Sequence, residues 1–328
     1  MIVSRTPLRV SFLGGGTDFP SYFNSSPGYV LGTTINKYVY VNILPLPKFA
    51  EERYRFTYRV TESVLDFNDF KHPVVREVLK EKKWAHPLNI ATMADLPGRS
   101  GLGSSSSFTV GLLNVLKHFG KHQVLPFDLA KESIRIEREL LGEPGGWQDQ
   151  FQAAFGGFRL YKFDAGLVTS DVISFESNFV DFVSASLVLL PMQNWRDSGG
   201  FAEDTSRSVG GGSGHQLALN LAKLTLETSQ ELVSSYSLKE KFDILCSAIN
   251  LAWRIKVDLS AGSLDPKVLD KIEEGVARGA SAGRLCGAGG TGFLLFLISP
   301  HLRESFIASM AEDLAFPISV VRSGSEIL

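Results

Sequence analysis

Only two cysteines, Cys246 and Cys286, occur in 328 residues. That excludes a disulfide framework and any C-x-x-C metal spacing, and it fits a reducing, intracellular setting. A surplus of charge is also missing: 33 Lys and Arg against 35 Asp and Glu leave a formal net charge of −2. Nucleic-acid proteins usually carry a basic surplus, so that class is disfavoured. The opening stretch MIVSRTPLRVSFLGGGTD contains no apolar segment followed by a cleavage site. The longest apolar runs, such as FLLFLI, are too short to span a bilayer. What remains is an ordinary globular composition, 44% hydrophobic and 21% charged, long enough for a large core and two domains.

Residues 53–60, RYRFTYRV, alternate strictly and predict a half-buried strand with Tyr54, Phe56, Tyr58 and Val60 on one side. Segments 33–44, 88–93 and 157–163 also read as strands, and an apolar run at 183–192 opens the second half. Helical spacing covers 104–119, 128–141, 215–236, 239–259 and 266–279, and the chain ends strand–helix–strand. This mixed order predicts an α+β fold rather than a regular βαβ alternation. A boundary near 175–182 divides the chain into residues 1–180 and 181–328. The Gly/Ser-rich VGGGSGH at 209–215 reads as a surface connector.

Three further glycine-rich segments stand out: LGGGTDF (13–19), LPGRSGLGSSSSF (96–108) and CGAGGTGF (286–293). The last matches G-x-G-x-x-G at Gly287, Gly289 and Gly292, with Glu312 twenty residues on. A dinucleotide site needs a helix after that loop, and here a strand-like run follows, so a tight loop packed against another loop is the better reading. The middle segment has the right context for an anion. Phe108, Leu112, Val115, Leu116 and Phe119 recur at helical spacing, so a helix begins near Ser104 with serines as candidate caps. Its free N–H groups and the positive end of its dipole would face the glycine loop, an arrangement that binds phosphate. There is no Gly-Lys-Ser/Thr, so it is not a Walker A loop. A flexible turn before an ordinary capped helix is the alternative.

In the 128–141 pattern Asp128 is a candidate cap and Gly142 a stop. Glu137 falls on the apolar face among Ile134, Leu140 and Leu141, while Glu132, Arg135 and Glu139 fall on the solvated one. A carboxylate on the buried side needs a partner. Either a cation of the chain supplies it or a hard metal ion next to phosphates does. GEPGGWQDQF (142–151) then presents Asp149 between Gln148 and Gln150, as a solvated loop acid or a candidate base.

With these segments in place the chain resembles the GHMP kinase superfamily of galactokinase, homoserine, mevalonate and phosphomevalonate kinases. TPLRVSFLGGGTDF is similar to that family's first motif, LPGRSGLGSSSSF to its phosphate-binding motif, and CGAGGTGF to its glycine-rich third motif. GGWQDQFQAAFGGF resembles the segment that carries a galactokinase-like aspartate. PLRVSFLGGGTDFPSYF and IERELLGEPGGWQDQF resemble the bacterial D-glycero-D-manno-heptose 7-phosphate kinase branch.

The resemblance implies a two-domain fold, ribosomal protein S5 domain 2-like and then ferredoxin-like, and an ATP- and Mg²⁺-dependent kinase acting on the anomeric hydroxyl of a sugar. It implies Asp149 as catalytic base beside Arg9, and Glu137 with Ser105 as metal contacts, the serine register being open by one. Pro97, Gly98, Ser100, Gly101, Leu102, Gly103, Ser104, Ser105 and Ser106 would hold ATP. Gly15, Gly16, Thr17, Asp18 and Gly289 would line the sugar site, with Asp18 on sugar hydroxyls and the third motif bracing the phosphate loop. Galactokinases carry an acidic residue and a histidine where this chain has Gly15 and Gly16, which leaves room for a longer or phosphorylated sugar. Arg196, Arg254 or Lys256 are candidates for holding such a phosphate. The implied partners are ATP and a small sugar or sugar phosphate in the cytoplasm, with no nucleic acid and no membrane, and a homodimer as one open assembly. Another GHMP sugar kinase, galactokinase- or fucokinase-like, and a non-catalytic sugar sensor are the competing readings.

Overall fold

The computed structural model describes the chain except residues 48, 99, 172, 193–198, 260–263, 288, 290 and 291. In chain order the first half holds β1 (Ile2–Leu13), the single turn α1 (Pro20–Phe23), β2 (Gly28–Pro45), β3 (Tyr54–Thr57), β4 (Thr61–Val64), α2 (Pro73–Glu81) and β5 (Leu88–Ala94). There follow α3 (Ser104–Phe119), α4 (Pro126–Ile134), α5 (Gln148–Phe155), β6 (Phe158–Asp164), β7 (Leu167–Thr169) and α6 (Ser177–Ser184). The rest comprises β8 (Leu187–Pro191), α7 (Gly199–Val209), α8 (Gly212–Glu231), α9 (Leu238–Leu259), α10 (Pro266–Ala277), β9 (Ala282–Leu285) and β10 (Phe293–Leu297). After α11 (Arg303–Ser309), three two-residue strands close the chain: β11 (Phe316–Pro317), β12 (Val320–Val321) and β13 (Glu326–Ile327). Among the described residues no helix is long and apolar enough to cross a membrane.

The fold is mixed, as the α+β expectation has it. A large sheet runs β13-β1-β2-β5-β3-β4, and the 18-residue β2 is its spine. Its first part pairs β6, its last part pairs β5, and β1 runs antiparallel along most of it. A smaller sheet, β11-β8-β10-β9, forms in the second half. Its two inner strands are buried on both faces, which explains their unbroken apolar runs. Leu187 and Leu189 of β8 and Leu295 of β10 face the main core, while Val188, Leu190, Leu294 and Phe296 face a second core under α10 and α11. The expected division at residues 180/181 falls within α6, and β12 and β13 return to pair with β2 and β1 of the first sheet.

Several local expectations are corrected. The strand expected over 53–60 ends at Thr57. Tyr54 and Phe56 are buried, but the chain turns back into β4 and leaves Val60 55% exposed. The helix expected from Asp128 starts at Pro126, so Asp128 sits in the first turn rather than at the cap, and residues 135–140 continue as a π-helical segment. VGGGSGH is not a loose connector, because α8 begins within it at Gly212. A Cβ at Gly214 would lie 2.2 Å from the Ser208 carbonyl oxygen, so glycine permits this tight join between α7 and α8.

Helix α3 is apolar nearly all round and is buried accordingly. It seats on β1 at Gly111, where a Cβ would come 2.8 Å from Thr6 Oγ1. Ser4 Oγ donates to the Gly111 carbonyl and Ser107 Oγ to the Pro7 carbonyl. These contacts fix where the N-terminus of α3 points.

Candidate active site

Gly103 takes the cap position of α3 with φ +74°, and no side chain caps the helix. The serines expected as caps therefore lie inside the first turn, and the N–H groups there face the loop before it. Gly101 also has φ +75°, and Arg9 N–H donates to the Leu102 carbonyl at 3.0 Å. The loop thus folds over β1, with Leu102 buried and Pro97 and Gly98 exposed at its entrance.

Arg9 on β1 lies beneath that loop and is 6% exposed. Its Nε and Nη2 each donate to Asp149 at 2.7 Å, a bidentate pair, and Nη1 donates to the Gly101 carbonyl at 2.5 Å. Burial alone would lower the Arg9 pKa; the Asp149 carboxylate outweighs it and holds the guanidinium above its ordinary value. A Cβ at Gly103 would come 3.1 Å from Arg9 Cγ and 3.5 Å from Asp149 Cγ, so the loop rests on the ion pair itself. Asp149 stands in the first turn of α5 with its side chain 21% exposed. A carboxylate with one face on a guanidinium and another open is placed to accept a proton from a hydroxyl beside an anion cradle.

The next residue, Gln150, reaches the other acidic centre. Glu137 is fully buried and accepts hydrogen bonds from Ser106 Oγ at 2.8 Å, Thr109 Oγ1 at 2.5 Å and Gln150 Nε2. Arg138 Nη2 stands 3.7 Å away. In this structure Ser106 turns inward onto Glu137, and Ser105 is exposed at the head of the helix. The donor set suits a hard divalent cation. It combines a carboxylate, two hydroxyls and the Oε1 of Gln150, which is buried with no hydrogen-bond partner among the described residues. Among the described residues no group of three or more His, Cys, Asp or Glu could hold a metal by itself, so phosphate oxygens would have to complete the shell.

The third motif packs against the phosphate loop. A Cβ at Gly101 would lie 2.5 Å from the Cys286 carbonyl oxygen, one at Gly287 would lie 2.6 Å from Gly101 Cα, and one at Gly292 would lie 2.6 Å from the Ser100 carbonyl oxygen. The glycines are there for backbone-to-backbone approach, and β10 follows directly, which removes the dinucleotide reading. Ser100 is fully buried, and its hydroxyl has no partner among the described residues.

Asp18, expected on sugar hydroxyls, lies in the turn after β1. It is fully buried, and its carboxylate accepts from the Gly16 and Gln148 amides at 3.0 and 3.1 Å. Burial pushes its pKa up, opposed by those two amides. A Cβ at Gly146 would lie 1.9 Å from Asp18 Oδ2, so here Asp18 anchors the loop that delivers Asp149. Thr17 is buried too, its hydroxyl bonded to the Gly14 and Tyr29 carbonyls. Among the described residues only Gln148 Nε2 comes near a would-be Cβ of Gly15, at 3.7 Å, whereas Gly16 lies under Thr205 and Val209 of α7. Gly289 abuts Phe201 of the same helix, 2.8 Å from its would-be Cβ. Helix α7 therefore covers the turn and the third motif, a role invisible in its sequence.

Of the three candidate phosphate-binding cations, Arg196 lies outside the described residues, Arg254 is exposed on the outer face of α9, and Lys256 turns inward. Lys256 Nζ donates to the Gly287 carbonyl. Burial, then the neighbouring Arg284 guanidinium, press its pKa down to about 7. Arg284 on β9 is 4% exposed and donates to the Phe12 carbonyl. Its own pKa is lowered to about 10, first by burial.

The chain is similar to known proteins in sequence and in fold. Residues 70–157 match the model of the GHMP kinases N terminal domain. Across 95% of its length the chain is 27% identical to the D-glycero-alpha-D-manno-heptose 7-phosphate kinase of Campylobacter jejuni, and it covers 94% of that protein. Among solved structures, a D-glycero-D-manno-heptose 1-phosphate kinase from Bacteroides thetaiotaomicron superposes with a TM-score of 0.79 at 22% identity, over 100% of this chain and 99% of that one. A Lactococcus lactis galactokinase solved with galactose gives 0.78 at 15% identity, over 99% of this chain and 94% of that one. At those identities the two structures speak to the fold. Residues 70–157 thus match a GHMP kinase N-terminal domain, in a chain that has the mixed α/β fold of these solved kinases.

Proposed function

We propose that the chain is an ATP-dependent kinase that phosphorylates the anomeric hydroxyl of a sugar phosphate, with D-glycero-D-manno-heptose 7-phosphate as the acceptor. The observation that carries this reading is the Arg9–Asp149 pair lying directly under the uncapped N-terminus of α3. Backbone N–H groups of residues 103–106 receive the triphosphate, since the loop has no Walker lysine. Asp149 orients the acceptor hydroxyl and takes its proton as the new P–O bond forms and the bond from the γ-phosphorus to the bridging oxygen breaks, releasing ADP. Arg9 holds Asp149 in place through the bidentate pair and balances charge on the transferring group. A Mg²⁺ ion held by Glu137 and the neighbouring hydroxyls would neutralise phosphate charge. Gln150 joins the two centres, because it touches Glu137 while its neighbour Asp149 touches Arg9.

The acceptor class is supported by the Campylobacter jejuni relative's name and by the small residues at Gly15 and Gly16, which remove bulk and negative charge from one end of the sugar site. ATP and a sugar phosphate as substrates fit a cytoplasmic enzyme. The test is a panel of sugars and sugar phosphates with ATP, with ADP release measured and the product position read by ³¹P NMR. Preferred turnover of heptose 7-phosphate to a 1,7-bisphosphate is expected. Faster turnover of galactose or fucose would replace this reading with another sugar kinase of the superfamily, and no sugar-dependent ADP release would refute catalysis.

A further inference from the structure

Gln148, the residue before Asp149, has one polar atom left over. Its backbone N–H donates to Asp18 Oδ2 at 3.1 Å, and its Oε1 accepts from Ser11 Oγ. The residue is thus held at its backbone by the turn after β1 and at its tip by β1 itself. Its Nε2 donates to nothing among the described residues, although Gln148 is only 9% exposed. That nitrogen stands 3.7 Å from a would-be Cβ of Gly15. A largely buried donor without an acceptor is costly unless an acceptor atom arrives to use it.

Where the amide lies relative to the base follows from β1. Arg9 and Ser11 are two residues apart in a regular stretch of pairing with β2, Arg9 opposite Thr34 and Ser11 opposite Gly32. They share one face of the strand, about 6.6 Å apart. Arg9 carries Asp149, and Ser11 carries Gln148. Base and amide are therefore ranged along the strand, the base beside Gly103 of the phosphate loop and the amide beside Gly15 of the turn. Two hydrogen bonds of about 2.9 Å each span most of one such repeat, so the two side chains reach neighbouring oxygens of one bound molecule. We propose that Gln148 is a specificity-determining residue whose Nε2 donates to the acceptor oxygen next to the hydroxyl that Asp149 deprotonates. For an anomeric acceptor that oxygen is the 2-hydroxyl. This rests on the sugar kinase reading above and adds to it a second point at which the acceptor is read.

The test compares kcat/KM for D-glycero-D-manno-heptose 7-phosphate and for its 2-deoxy analogue in wild type and in Gln148→Met, which keeps the length of the side chain and removes the donor. Wild type should favour the 2-hydroxy acceptor by about 10- to 100-fold, the range for a buried donor left unpaired. Gln148→Met should lower that ratio by the same factor, with the loss falling on the 2-hydroxy acceptor and KM for ATP unchanged. An unchanged ratio in Gln148→Met overturns the proposal. An equal fall of kcat with both acceptors also overturns it, since that leaves Gln148 as a brace for Asp149. Should Gln148→Met fail to fold, Ser11→Ala decides. It frees the amide to turn, so the ratio should drop, and an unchanged ratio overturns the proposal. A wild type that phosphorylates heptose 7-phosphate without regard to the 2-hydroxyl refutes only the role of Gln148. A wild type that prefers a different sugar replaces the acceptor named above, and the same comparison with that sugar and its 2-deoxy analogue decides on Gln148. No sugar-dependent ADP release from wild type refutes the function and this inference with it.

Discussion

Replacing Gly101 by alanine separates two penalties that the structure keeps apart. A Cβ there would lie 2.5 Å from the Cys286 carbonyl oxygen and 2.9 Å from its carbon, at φ +75°. Gly166, in the turn between β6 and β7, has φ +82° and, among the described residues, nothing within 4 Å of a would-be Cβ. Gly166→Ala thus carries the left-handed backbone cost alone, about 1–2 kcal/mol. Gly101→Ala adds a contact far inside the roughly 3.5 Å at which nonbonded heavy atoms sit comfortably. Because the neighbour is backbone, one segment must move, and overpacking of this kind costs about 1–3 kcal/mol more. Urea unfolding followed by circular dichroism should therefore place Gly101→Ala about 1–3 kcal/mol below Gly166→Ala. Arg9 hangs on the Gly101 carbonyl, so the displacement passes to Asp149. A misplacement approaching 1 Å costs about 10²-fold, and ADP release should show kcat down by about 10- to 100-fold in Gly101→Ala only. Equal stability and equal kcat for the two variants would refute the claim that the third motif braces the phosphate loop.

Glu137→Gln should raise the KM for Mg-ATP by about 10-fold or more and recover in part with added Mg²⁺, since Ser106, Thr109 and Gln150 now donate to a carboxylate; a Mg²⁺ titration of kcat checks this. Thr109→Val should destabilise by about 1–2 kcal/mol in urea, because it removes one donor from that buried carboxylate. Lys256 gives a pH signature of known sign. Its folded pKa of about 7 lies below the ordinary lysine value, so between the two the unfolded chain holds the extra proton and stability gains with rising pH. The stability of wild type relative to Lys256→Met should therefore increase from pH 7 to pH 9 in urea unfolding, and a flat difference would contradict it.

What the sequence made legible was local. Helix α3 begins at Ser104 and ends at Phe119 as its apolar spacing and flanking glycines predict, and the phase of the 128–141 pattern already places Glu137 on a buried face. The three glycine motifs were readable as loops, and the need for close backbone approach is what the would-be Cβ contacts show. What escaped were facts of tertiary phase. Adjacent serines on a helix differ by about 100°, so only the position of Glu137 decides that Ser106 and not Ser105 meets it. Arg254 and Lys256 stand on opposite faces of α9, and periodicity alone does not say which faces the third motif. Asp18 was expected on sugar hydroxyls from the resemblance alone, and the residues next to it say nothing of its burial. Its burial follows from Gly146, which lies 128 residues further along the chain and closes over its carboxylate. Gln150 was visible as a polar neighbour of Asp149, but its bond to Glu137 depends on how α5 docks against α3.

Asp149→Asn probes the centre of the account. The asparagine keeps the size of the side chain but removes the base and leaves Arg9 facing an amide. The measurement is kcat for heptose 7-phosphate alongside ATP affinity by calorimetry. A fall in kcat of about 10²-fold or more with ATP binding retained is the predicted result. An unchanged kcat would contradict the role assigned to Asp149 and, with it, the reading of this site as a phosphoryl-transfer centre.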